Sequence, residues 1–153
     1  MLCFRETAFG RVGVQEQDGV IVHVYLPGRS VAAADGPETP LLREAFEQLE
    51  AYFSGRLKIF DLPLRMEGTP FMRRVWEALR AVPYGVTASY GDIAKAIGNP
   101  KACRVVGMAN NHNPISIVVP CHRIVGSDGG LVGYGGGLDM KRRLLDLERA
   151  HAD

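Results

Sequence analysis

Three successive residues, Gly98-Asn99-Pro100, constrain this chain more than any other feature. A glycine suited to end one helix, an asparagine suited to cap the next and a proline suited to its first turn read as a tight joint between two short helices. Upstream, Ser89 caps a helix whose inner face is Ile93, Ala94 and Ile97. Downstream, a second helix runs through Ala102, Val105, Val106 and Ala109. Helix, glycine-containing turn, helix is the layout of a helix-turn-helix, although an ordinary helical hairpin is the commoner outcome of such a pattern.

Periodicity sorts the rest of the chain around this joint. Residues 10–16 and 20–26 are rich in β-branched side chains, and Asp18-Gly19 between them is a hairpin turn signal. Residues 28–40 read as a loop. Thr39-Pro40 then opens a helix lined by Leu42, Ala45, Phe46, Leu49 and Phe53, which Gly55 ends. Thr69-Pro70 opens another, lined by Phe71, Met72, Val75, Leu79 and Val82 and stopped at Pro83-Tyr84-Gly85. After Asn113-Pro114, residues 115–119 read as a strand. Ile124-Val125 and Leu131-Val132 read as a hairpin around a glycine-rich turn, and a final helix spans Leu138 to Ala150. The expected fold class is α+β in two small domains: a sheet with one helix over 1–65, and a mostly helical domain over 66–153.

Composition narrows the function classes. No apolar run is long enough to span a membrane, and the first residues do not resemble a signal peptide, so a cytoplasmic location is expected. Three cysteines without a C-x-x-C argue against a disulfide framework. The formal net charge of +1 hides a split: residues 1–70 carry 7 basic and 10 acidic side chains, residues 71–153 carry 11 and 7. The positive surplus therefore falls in the half that holds the helical joint.

Of the three cysteines, Cys3 and Cys103 read as incidental. Cys121 follows an apolar run and Pro120, with His122 and Arg123 after it. Two cations beside a thiol would favour the nucleophilic thiolate, and a buried structural cysteine is an equal alternative on local context alone. No Cys or His pair has zinc-site spacing, so no metal is expected. Gly133-Tyr134-Gly135-Gly136-Gly137 lacks the GK[ST] ending of a phosphate loop.

Pro120-Cys121-His122-Arg123, preceded by Asn113-Pro114 and by Arg104-Val105-Val106-Gly107-Met108-Ala109, resembles the methylated-DNA–protein-cysteine methyltransferases, or O-6-alkylguanine-DNA alkyltransferases. The likeness continues upstream through Ser89-Tyr90-Gly91-Asp92-Ile93-Ala94 and Gly98-Asn99-Pro100. Downstream it runs through Gly133-Tyr134, Gly136-Gly137-Leu138, Lys141 and Leu144-Leu145 to Glu148. The first half resembles the family in layout, a ribonuclease-H-like sheet with a helix; the second half would be winged-helix-like with a short active-site strand.

The resemblance implies DNA repair by irreversible, single-turnover transfer of an alkyl group. The group passes from O-6-alkylguanine in duplex DNA, with O-4-alkylthymine as a second lesion, to Cys121. It gives His122 the role of base through a water, Glu148 that of its orienter, and Tyr90 that of proton donor to the guanine ring. It makes Arg104 the residue that fills the space left by the flipped nucleotide. Ala102, Gly107, Ala109 and Arg123 would contact DNA, in the minor groove and with low sequence specificity. Asn113, Ile124, Tyr134 and Gly135 would form the substrate pocket. No cofactor is implied, and the protein would act as a monomer, with cooperativity on DNA left open. Gly135 stands where relatives often carry serine, and Cys3 and His23 do not reproduce the zinc-binding set that some relatives have in their first domain. Three alternatives are disfavoured. A lesion-binding protein would lack Cys121, an electrophile-sensing regulator would need an effector module, and a Cys-His hydrolase would need a separately placed histidine.

Overall fold

Residues 1–28, 33–132, 134 and 137–152 are described in the computed structural model. The chain divides into two compact units, Met1–Met66 with Pro114–Ser116, and Glu67–Asn113 with Ile117–Asp153.

In the first unit, β1 (Leu2–Thr7), β2 (Gly10–Gln17) and β3 (Val20–Tyr25) form an antiparallel sheet in sequential order. The Asp18-Gly19 turn forms as the sequence predicts. Both residues have positive φ, 54° and 78°, as a two-residue hairpin turn requires, and Gln17 pairs with Val20 across it. β1 is an addition, because its LCFRET sequence has no clean alternation to announce it. Helix α1 (Pro40–Phe53) starts where Thr39 Oγ1 accepts the Leu42 amide at 3.1 Å. It buries Leu42, Ala45, Phe46, Leu49, Tyr52 and Phe53, while the strands bury Val12, Val14, Ile21, Val22 and Val24. Two short returns bridge β3: Leu64 beside Ile21, and Ile115 beside Val24.

The second unit is built on α2 (Pro70–Arg80), which Thr69 caps. Its Trp76 is buried and donates its indole N–H to the Ala109 carbonyl at 2.8 Å, satisfying the one polar atom of a large apolar side chain. The same ring explains Gly68, where a Cβ would lie 2.6 Å from it. β4 (Ala88–Ser89) leads into α3 (Tyr90–Ala96), whose start is a full capping box between Ser89 and Asp92. Gly98 ends this helix region with φ +79°.

Three expectations are corrected here. Asn99 does not cap the next helix: α4 (Cys103–Asn111) begins beyond it, with Ala102 at the cap position and no side-chain cap bond. Asn99 instead offers its carbonyl to the Ala102 amide at 3.0 Å, adding a turn to the joint. Residues 115–119 are not one strand, because Ile117 takes φ +74° and the chain turns there. This is a strained conformation for a β-branched residue. Finally, β5 (Ile124–Val125) pairs in parallel with β4, not in a hairpin with Leu131-Val132, although the Gly126 amide does close the intervening turn onto Gly130 O at 2.8 Å. Helix α5 (Leu138–Ala150) completes the unit. Among the described residues, no helix is long and apolar enough to cross a membrane.

Candidate active site

Cys121, His122 and Arg123 form a single 3-10 turn between the Ile117 kink and β5. All three side chains are buried, although two are polar. What makes that possible is Glu148, two turns from Lys141 on the inner stripe of α5 and only 1% exposed. Its Oε2 lies 2.6 Å from His122 Nε2 and accepts Arg123 Nη2 at 3.1 Å. Its Oε1 accepts Arg123 Nε at 2.9 Å and the Gly85 amide at 3.1 Å. Gly85 reaches this position with φ +78°, and a Cβ there would also strike Ala152 at 2.8 Å. Arg123 spends its remaining nitrogen on the Val82 carbonyl at 2.7 Å.

The electrostatics follow from this packing. Burial alone would raise the Glu148 carboxyl, but the His122 and Arg123 bonds outweigh it and hold the group well below the usual carboxylate range. Burial pulls His122 below its ordinary value. Glu148 pulls the other way, but its charge is already shared with Arg123, so the imidazole is neutral near pH 7. With Nε2 donating to Glu148, the ring's lone pair sits on Nδ1.

Burial also pushes the Cys121 thiol up, against opposing pulls from the Asn113 side chain, Lys141 and Tyr134. This corrects the expectation that His122 and Arg123 hold a thiolate: both are committed to Glu148. The thiol is protonated at rest and needs a base. Asn113 donates to Val119 O at 2.8 Å, and Asn110, one turn earlier on α4, donates to Cys121 O at 3.4 Å. Asn110 in the last turn of α4 and Asn113 just past its cap thus hold the main chain on both sides of Pro120. Tyr90 donates its hydroxyl to Val132 O at 3.1 Å. Burial, and then the neighbouring Cys121, keep that hydroxyl protonated by raising it above its ordinary value. Ile124 is fully buried.

The residues expected to face DNA divide into two groups. Arg104 is exposed on α4, Gly107 is half-buried, and Val105 and Met108 are exposed beside them. Ala102 and Ala109 are buried, and Arg123 is locked inside by Glu148 and Val82, so these three do not belong to the outer face. Gly135 lies outside the described residues. Lys141 and Asn110 were not assigned roles from the sequence. The signal for Lys141 was present: it sits three, four and seven residues before Leu144, Leu145 and Glu148, on the stripe that faces inward. Among the described residues, no group of three His, Cys, Asp or Glu could hold a metal ion.

Fold and site together define a helix-turn-helix protein with a buried Cys-His-Glu centre anchored to its second helix. Residues 4–66 match the model of the 6-O-methylguanine DNA methyltransferase ribonuclease-like domain, and residues 70–150 that of the DNA binding domain of the same family. The methylated-DNA–protein-cysteine methyltransferase of Methanosarcina acetivorans is 62% identical over 106 residues, 69% of this chain and 68% of its own. That of Mycolicibacterium paratuberculosis is 61% identical over 108 residues, 71% of this chain and 66% of its own. A crystal structure of Mycobacterium tuberculosis OGT in complex with DNA superposes with a TM-score of 0.91 at 43% identity, covering 98% of this chain and 93% of that one. This chain belongs to the methylated-DNA–protein-cysteine methyltransferase family.

Proposed function

We propose that the protein repairs duplex DNA by moving an alkyl group from the O-6 oxygen of guanine to Cys121, once per molecule. The observation that carries the reading is the buried Cys121-His122 pair, in which a protonated thiol is followed in the chain by a neutral imidazole fixed by the Glu148 carboxylate. His122 Nδ1 takes the thiol proton through a bridging water. The sulfur then attacks the alkyl carbon, an S–C bond forms as the C–O bond breaks, and the electron pair passes into the guanine ring. Tyr90, kept protonated, donates toward that ring as it becomes more basic. Glu148 bears the imidazolium that results, a nucleophile–base–orienter arrangement. A thioether is a poor leaving group, so the protein is consumed.

The outer face of α4 is the surface we assign to DNA. Arg104 shares this face with exposed Val105 and Met108, a cation beside an apolar pair that suits a wedge in the minor groove. Main-chain carbonyls of Cys121 and Ile124 would accept from the guanine amine, with Tyr134 as a wall. The modest positive surplus of residues 71–153, 11 basic against 7 acidic, implies few phosphate contacts, so binding is expected to be weakly sequence-specific and salt-sensitive, and the protein is expected to bind as a monomer.

Intact mass after incubation with a duplex carrying O-6-methylguanine tests the reading. One added methylene per protein, on Cys121, is expected, and no adduct or an adduct on Cys103 overturns it. Arg104→Ala should slow transfer from duplex more than from the free modified base. Equal slowing would remove Arg104 from the flipping step.

A further inference from the structure

One carbonyl in the second unit serves two donors from different helices. Val132 O accepts the Tyr90 hydroxyl at 3.1 Å and Lys141 Nζ at 2.8 Å. Tyr90 opens α3, Lys141 lies in the first turn of α5, and Val132 lies just before the glycine-rich stretch that precedes α5. The Lys141 side chain is 0% exposed, an unusual place for an ammonium. Burial lowers it to about 8, with Cys121 pulling the other way, so it remains largely charged near neutral pH.

A tyrosine hydroxyl carries a single proton and cannot donate to a carbonyl and to a base at once. In the base-free protein that proton is spent on Val132 O. Donation to guanine therefore requires the Tyr90–Val132 bond to break just as the arriving base displaces water from the same space. A carbonyl left without a donor there would oppose the exchange. An ammonium has three N–H groups, and Lys141 already contributes one at the shorter distance.

We propose that Lys141 is a positioning residue for the transfer: it keeps the Val132 carbonyl bonded, so that the Tyr90 hydroxyl can turn from the main chain to the base. The proposal rests on the reading of Tyr90 as proton donor.

Single-turnover rates on an O-6-methylguanine duplex, with maximal rate separated from DNA affinity, test it in a four-member cycle of wild type, Lys141→Met, Tyr90→Phe and the double variant. Lys141→Met should lower the maximal rate about tenfold, with affinity unchanged within about twofold. In the Tyr90→Phe background the same change should cost less than about twofold, since no hydroxyl is left to release. A lysine that merely supports the fold costs the same in both backgrounds, and that result overturns the proposal while leaving Tyr90 as donor. An unchanged rate in Tyr90→Phe alone overturns the donor reading and the proposal with it. Should Lys141→Met not fold, a crystal structure of Cys121→Ser on the lesion duplex decides. Lys141 Nζ still on Val132 O with Tyr90 Oη beyond about 3.5 Å supports the exchange, and Tyr90 still on Val132 O overturns it.

Discussion

Each unit ties an arginine to carboxylates with nearly the same geometry. In the first, Arg5 grips Glu38 with two bonds of 2.7 Å, reaches Glu50 at 2.9 Å and lies over the Phe46 ring. In the second, Arg123 grips Glu148 at 2.9 and 3.1 Å and lies over the Tyr84 ring. Water separates them. The Arg5, Glu38 and Glu50 side chains are 28%, 22% and 43% exposed, whereas Arg123 and Glu148 are 8% and 1% exposed. In the first cluster solvent can replace a missing partner. In the second nothing can, so each group depends on all the others, and the dependence is what fixes the imidazole on Glu148.

Removing the charge of Glu148 should therefore produce the largest effect. Glu148→Gln keeps the volume but strands Arg123, and is expected to lose about 3–5 kcal/mol at pH 7 in urea unfolding, along with transfer activity. The native carboxyl is held below its unfolded value of about 4.3, so its contribution is complete above that pH and is lost as pH falls toward the native value. The gap between wild type and variant should accordingly narrow below about pH 4. A gap under about 1 kcal/mol at pH 7 would put the buried cluster on a level with the exposed one.

Arg123→Lys comes next. A lysine keeps the charge but loses the fork that spans both Glu148 oxygens and the bond to Val82 O, at an expected cost of about 2 kcal/mol. Because Arg123 is enclosed, affinity for undamaged duplex should change by less than about twofold in a fluorescence titration. A larger loss with a shallower salt slope would return Arg123 to the DNA-facing surface.

The contrast also explains what the sequence could reveal. Elements fixed by local chemistry were legible: the Asp18-Gly19 turn, the Thr39 and Thr69 caps and the Ser89 start of α3 each depend on residues within one turn of themselves. The motif series singled out Cys121, His122, Arg123 and Glu148 as residues to examine, but not the environment the fold gives them. That Arg123 faces Glu148 instead of solvent depends on α5 packing against residues 25 positions earlier, and no local pattern encodes such a contact. The helical joint shows the same limit on a smaller scale. Gly98-Asn99-Pro100 has the residues of an immediate restart, yet α4 begins only at Cys103. On α4 itself, Ala109, one of the small residues expected to meet DNA, is buried in the core, and its carbonyl accepts the Trp76 indole.

The exposed cluster supplies the smaller tests. Arg5→Met should cost about 1 kcal/mol, because it removes the Glu38 fork together with the stacking on Phe46, and transfer should be unaffected. Glu50→Gln should cost less still, about 0–0.5 kcal/mol, since Arg5 retains both Glu38 bonds and Glu50 is 43% exposed. Salt separates this pair from the buried one. Raising ionic strength from about 0.1 to 1 M shortens the Debye length from roughly 10 to 3 Å, which should erase the Glu50→Gln difference. The Glu148→Gln difference should persist in the same titration, because no counterion reaches a carboxylate that is 1% exposed. If both gaps closed together, solvent access would not be what distinguishes the clusters, and the imidazole would owe its position to something other than the buried carboxylate.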